Sequence, residues 1–153
     1  MRKSTALTQA SDIALLLGRV AMAAVFIPSG FAKLSNVGAF AAALEKRGMP
    51  FADILATLGG LIEFLGGIAV ALGIHARWAA ALMIVFTLAA TAISHRFWEL
   101  EGAARQAQEV QFFKNLAIAG GFLFLVVNGG GRYCLDRLWR GRRAPHPAKP
   151  DGA

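Results

Sequence analysis

The stretch ILATLGGLIEFLGGIAVALGI, residues Ile54 to Ile74, decides the fold. It carries one charge, Glu63, in an otherwise apolar and glycine-rich run. A membrane-spanning helix needs about 17–25 mostly apolar residues, and this run meets that length. Three further stretches read the same way: 13–34, 78–95 and 112–128. Inside hydrocarbon only helices and closed barrels satisfy their backbone, and these runs are too long and unbroken for barrel strands. The expectation is an all-α integral membrane four-helix bundle occupying residues 13–131.

Composition agrees. Hydrophobic residues are 56% of 153, charged residues only 16%, and 17 glycines are present. A soluble chain carries roughly 25% charge. The net charge of +7 does not point to nucleic acid, because six of the 16 Lys and Arg lie at or after Arg132. A basic tail on a very apolar chain marks the cytoplasmic side of a membrane. One cysteine, Cys134, excludes an intramolecular disulfide and any multi-cysteine metal centre, and no metal site is expected.

Arg2 and Lys3 resemble the start of a signal peptide, but Ser4 to Ser11 is largely polar and the following run is the length of a full span. The first helix is therefore expected to stay, with 1–12 as a cytoplasmic N-terminal segment. The side shared by the termini and the turn around His75 to Arg77 holds nine Lys and Arg; the other side holds Lys46, Arg47, Arg96 and Arg105. That asymmetry places both termini in the cytoplasm. Short interfacial helices are expected in the outer loops. Val37, Phe40, Ala41 and Leu44 share one helical face, ended by Gly48 and Pro50, and a second helix fits around 103–110. Residues 132–153 form a basic tail whose Pro-containing end, 144–153, is expected to be disordered.

Each ionisable group inside a span needs an account, since a charge at mid-membrane costs at least about 2.5–3.5 kcal/mol. Glu63 is the deepest, nine residues into its span and about 13–14 Å from the outer end. Gly59, Gly60, Gly66 and Gly67 surround it at helical spacing, so its face is the one another helix packs on. Arg19, six residues into the first span, shares a face with Phe26, Gly30 and Lys33 and is expected to approach Glu63. His95 ends the third span, followed by Trp98, while Lys114 and Asn115 open the fourth. Structural ion pairs, snorkelling and interface anchoring are the ordinary explanations for these groups. Against them, Glu63, His95, Lys114 and Asn115 come from three helices and are expected to line one pocket opening to the outer leaflet, rimmed by Phe97 and Trp98.

These residues also carry a resemblance. LGRV (17–20) leading to FIPSGFAKL (26–34), GLIEFLGG (60–67), HRFW (95–98) and FKNLAIAGG (113–121) together resemble the DoxX family of small four-helix inner-membrane proteins. The resemblance implies a bacterial inner-membrane subunit linked to redox chemistry, with redox protein partners. Arg19, Glu63, His95, Lys114 and Asn115 match the polar positions of that family. Glu63 and His95 are then the expected catalytic groups, and Arg19, Lys114, Asn115 and Trp98 the expected ligand-binding groups. The chain has no motif for a covalently bound cofactor, so a quinone is the cofactor the resemblance implies. A quinone ring needs an apolar slot with donors at its carbonyls, which His95, Lys114 and Asn115 supply. Two other readings remain open: an assembly partner whose polar residues only hold the bundle together, and a small-solute carrier, which would need a homo-oligomer to enclose a pathway.

Overall fold

The computed structural model describes the backbone of residues 2–142 and the side chains of residues 8–139. Among them only helices occur, with no strand: α1 (Arg2–Ser35), α2 (Val37–Glu45), α3 (Ala52–Leu72), α4 (Ala76–Ser94), a 3-10 turn (Phe97–Glu99), α5 (Gly102–Asn128) and α6 (Leu135–Arg142). Four segments are long and apolar enough to cross a membrane: Thr8–Ser35, Ala52–Leu72, Ala76–Glu99 and Gly102–Asn128. The chain is a four-helix membrane bundle.

Helix boundaries differ from the sequence expectation in three places. The first helix is continuous from Arg2. No glycine or proline interrupts residues 2–17, and polar side chains do not stop a helix once it propagates. The helix expected around 103–110 is the start of α5, for the same reason. The tail is helical at Leu135–Arg142, where Leu135, Leu138 and Trp139 alternate with charged residues at helical spacing. The expected disorder of 144–153 lies outside the described residues.

The bundle packs inward through small residues and outward through large ones. Ala23, Ala56, Ala80 and Gly60 are buried, while Leu17, Leu65, Val85, Phe124 and Val127 are exposed. That is the pattern of helices packed in lipid, where close backbone approach replaces a hydrophobic driving force. The pair α1–α3 shows the approach best. A Cβ on Gly30 would lie 2.5 Å from the backbone N of Phe64, one on Gly60 2.9 Å from Leu34, and one on Gly67 3.0 Å from Ile27. The numbers of these facing residues add to nearly one total, as antiparallel helices require. Phe26, Val70, Met83, Phe122 and Leu125 fill the bundle centre. Phe26 and Phe122, 5.6 Å apart, bring α1 against α5.

Short caps position the ends. Asn36 accepts a hydrogen bond from Ala39 N and starts α2, whose Ala41 and Leu44 pack on Ala52 and Ala56 of α3. Gly73, at φ +67°, ends α3 with its N–H and that of Ile74 returned to α3 carbonyls. A Cβ there would also collide with the Arg19 guanidinium and Cys134, so glycine is required twice over. His75 then begins α4, and the α3–α4 turn is as tight as its length implies.

Candidate functional site

α3 carries Glu63 on the face bearing Gly60, Gly66 and Gly67, and the carboxylate is buried, 4% exposed. Its partner is the ammonium of Lys33 on α1. The same ammonium donates to Ser29 Oγ at 3.3 Å and stands 5.2 Å from the Phe40 ring centroid. Neither Arg19 nor Lys114, the two expected partners, reaches Glu63. The register of α1 against α3 decides this: Arg19 falls beside Gly73, ten residues and about 15 Å along α3 from Glu63. Lys33 shares a face with Gly30, so the glycine contact that seats α1 on α3 also brings Lys33 level with Glu63. The signal was present in the sequence as the Gly30–Lys33 spacing opposite Gly60; it becomes readable only once the register is known.

A second polar line joins α4 to α5. Asn115 Nδ2 donates to Thr91 Oγ1 at 2.9 Å, and Thr91 donates to the Thr87 carbonyl at 2.6 Å. Thr87 and Thr91 are buried, and Thr87 Oγ1 has no partner. One turn further out, His95 Nδ1 and Gln108 Oε1 lie 2.7 Å apart. Gln108 was not among the expected site residues. Because α5 starts ten residues before Phe112, Gln108 becomes a helical position facing the end of α4. Trp98 packs edge-on against Phe97 (5.3 Å) and Phe112 (6.1 Å) beside this pair. Lys114 is exposed on the outward side of α5. It follows from Asn115: adjacent helical residues point about 100° apart, and Asn115 faces α4.

The structure therefore brings Asn115, His95 and Trp98 to one side of the loop end, and Glu63 to the neighbouring α1–α3 seam. Lys114 is turned away from both. Arg19 lies at the end of the bundle that holds α6, 1% exposed, its guanidinium donating to the Tyr133 carbonyl.

Two open cavities flank the bundle, and neither is lined by Glu63, His95, Lys114, Asn115 or Trp98. One, about 310 Å³, sits at the loop end among Lys46, Arg47, Ile93, Arg96, Leu100 and Gln108. The other, about 710 Å³, sits at the α6 end beside the Asn128–Gly131 loop. Among the described residues no cluster of His, Cys, Asp and Glu could hold a metal ion.

Comparison with known proteins places this architecture. The DoxX family model matches residues 14–96. Inner membrane protein YphA of Escherichia coli K12 is 33% identical over 128 residues, 84% of this chain and 91% of that protein. Inner membrane protein YqjF of the same organism is 33% identical over 127 residues, 83% of this chain and 92% of that protein. A Surfeit locus protein 4 homolog of Schizosaccharomyces pombe shares 33% identity over 69 residues, 44% of this chain but 23% of that protein. No solved structure matches the chain. With the model covering more than half of the residues and two relatives aligned over nearly their whole length, this chain belongs to the DoxX family.

Proposed function

We propose that this chain is an inner-membrane, redox-linked subunit that takes a quinone headgroup at the loop end of the bundle, with both termini in the cytoplasm. The observation that carries the reading is the His95–Gln108 pair, whose Gln108 also lines the 310 Å³ cavity. Ile93 and Leu100 offer the ring an apolar wall, and Gln108, Lys46 and Arg47 offer donors to its carbonyls. A concave site with apolar walls and a few convergent polar groups is the usual form of a small-molecule site. The residues present fit a quinone, which when bound supplies the electron-carrying chemistry. His95, behind Gln108, and Glu63, deeper in the bundle, are the proton-handling groups of this reading. Asn115 and Trp98 belong to the same end; Lys114 is at that end but faces outward, and Arg19 lies at the opposite end. The two Escherichia coli relatives, named as inner membrane proteins, support the location.

The test is quinone content of the protein purified in mild detergent, followed by titration with a short-chain quinone. Wild type should bind, and His95→Ala and Gln108→Ala should each bind at least about tenfold more weakly, the scale of losing one hydrogen-bonding group at a part-buried site. If wild type binds none, or both variants bind as well as wild type, the quinone reading fails. A second reading has its own support. Glu63 with Lys33 and Asn115 with Thr91 are mutually satisfied, as expected of an assembly partner whose polar groups only specify helix packing. Redox proteins recovered with the subunit but without bound quinone would favour it.

A further inference from the structure

The α6 end of the bundle holds more positive charge than it neutralises. Arg19 is 1% exposed, yet its Nε and Nη1 have no hydrogen-bond partner, and only Nη2 is engaged, by the Tyr133 carbonyl. Arg77 and Arg137 line the 710 Å³ cavity, and among the described residues neither forms an ion pair. Arg77 lies against Gly129, whose positive φ of 74° and missing Cβ leave the arginine room. The facing carboxylates are Asp12 and Asp136. Both already accept from backbone N–H groups: Asp12 from Arg132, and Asp136 from His75 and Ala76 at 2.8 and 3.2 Å. The N-terminus of α4 is thus capped by Asp136, and the excess positive charge sits beside it.

The cavity also lies at the membrane boundary, between the start of one span at Ala76 and the end of another at Asn128. Trp78, 78% exposed, lines it, where aromatic side chains mark the headgroup level. Further into the membrane, α4 and α5 expose Val85, Phe124 and Val127, an apolar surface suited to acyl chains.

We infer that this cavity is a binding site for an anionic phospholipid, the phosphate held by Arg77 and Arg137 in the field of the buried Arg19, and the chains laid along α4 and α5. The ligand chemistry is fixed by position: Arg77 and Arg137 stand outside any ion pair among the described residues, Arg19, Arg77, Arg132 and Arg137 outnumber the carboxylates of Asp12 and Asp136 at this end, and the cavity is open to the headgroup layer and continuous with a lipid-facing surface. The site is at the opposite end of the bundle from the proposed quinone cavity and stands without it.

The experiment uses the full chain in neutral detergent, probed with phosphatidylglycerol, phosphatidylcholine and inorganic phosphate. Lipid retained per protein is counted by native mass spectrometry, and unfolding is followed by helicity. Phosphatidylglycerol should be retained at least about tenfold better than phosphatidylcholine. Arg137→Gln should weaken that retention about fivefold, and Arg77→Gln with Arg137→Gln more than tenfold, on the scale of one interfacial cation each. Arg105→Gln with Lys114→Gln, away from the cavity, should leave it unchanged. Equal retention of the two lipids, or wild-type retention by the arginine variants, overturns the assignment. Inorganic phosphate raising the unfolding midpoint as far as phosphatidylglycerol also overturns it, in favour of a soluble phosphate site. Both arginine side chains are exposed, and the single variant decides the question should the double variant fold poorly.

Discussion

Glu63 lies eleven residues into α3 from Ala52, about 17 Å along the helix and close to the bilayer middle. A lone carboxylate there would be expensive, and Lys33 removes most of that cost by direct pairing. Breaking such a pair leaves one charge uncompensated, so each partner's loss should exceed the loss of both. We expect Lys33→Met to lower stability by about 3 kcal/mol, the low end for a buried pair because the Lys33 side chain is 29% exposed. Glu63→Ala should cost more than Glu63→Gln, since Gln still bonds the ammonium. The double variant Lys33→Met, Glu63→Gln should recover part of the loss. Unfolding of the detergent-solubilised protein measures all four; additive losses would show that the two residues do not act as a pair.

At the scale of elements, the glycines of α1 and α3 behave differently by position. Gly30 has Phe64 backbone against it, so Gly30→Ala must push two helices apart. We expect it to destabilise by about 1–3 kcal/mol, the range for overpacking. Gly18, on the same helix, has nothing within 4 Å, and Gly18→Ala should be neutral or stabilise by about 0.5–1 kcal/mol through backbone entropy. Melting curves of the two variants check this; equal effects would mean that α1 does not seat on α3 through Gly30. Lys33 and Glu63 depend on that seating. Moving α1 by one helical turn, about 5.4 Å, would separate them, so Gly30→Ala should also weaken the coupling measured at the residue scale.

At the scale of the whole molecule, four spans put the termini on one side of the membrane, with α6 and the α3–α4 turn. The proposed cytoplasmic placement of that side rests on the nine-to-four excess of Lys and Arg. A reporter fused after Ala153 should read cytoplasmic, and one inserted in the 46–51 loop should read periplasmic; the reverse would invert the topology. The bundle was legible in the sequence because the bilayer enforces it. Apolar runs near 20 residues must be helices, and Gly73 and the short connection through His75 must turn tightly. The face of α2, with Ala41 and Leu44 buried, was legible from its spacing. Helix ends were less so: α1 and α5 run past the apolar segments because nothing in residues 2–12 or 103–111 stops a helix.

The residues that belong inside were written in the sequence itself: an ionisable or hydroxyl side chain on a span face flanked by glycine or threonine cannot be left in lipid. Glu63, Thr87 and Thr91 follow that rule. Which residue meets which was decided by the tertiary structure. The spacing that allowed Arg19 to approach Glu63 held only for an unspecified register. The contact of Gly30 with Phe64 set that register, sent Arg19 to Tyr133 and gave Glu63 to Lys33. Likewise the rotation of α5 that turned Asn115 toward Thr91 left Lys114 outside. Periodicity in a sequence fixes the face of a single helix; the translation and rotation of one helix against another come from close packing between residues far apart in the chain.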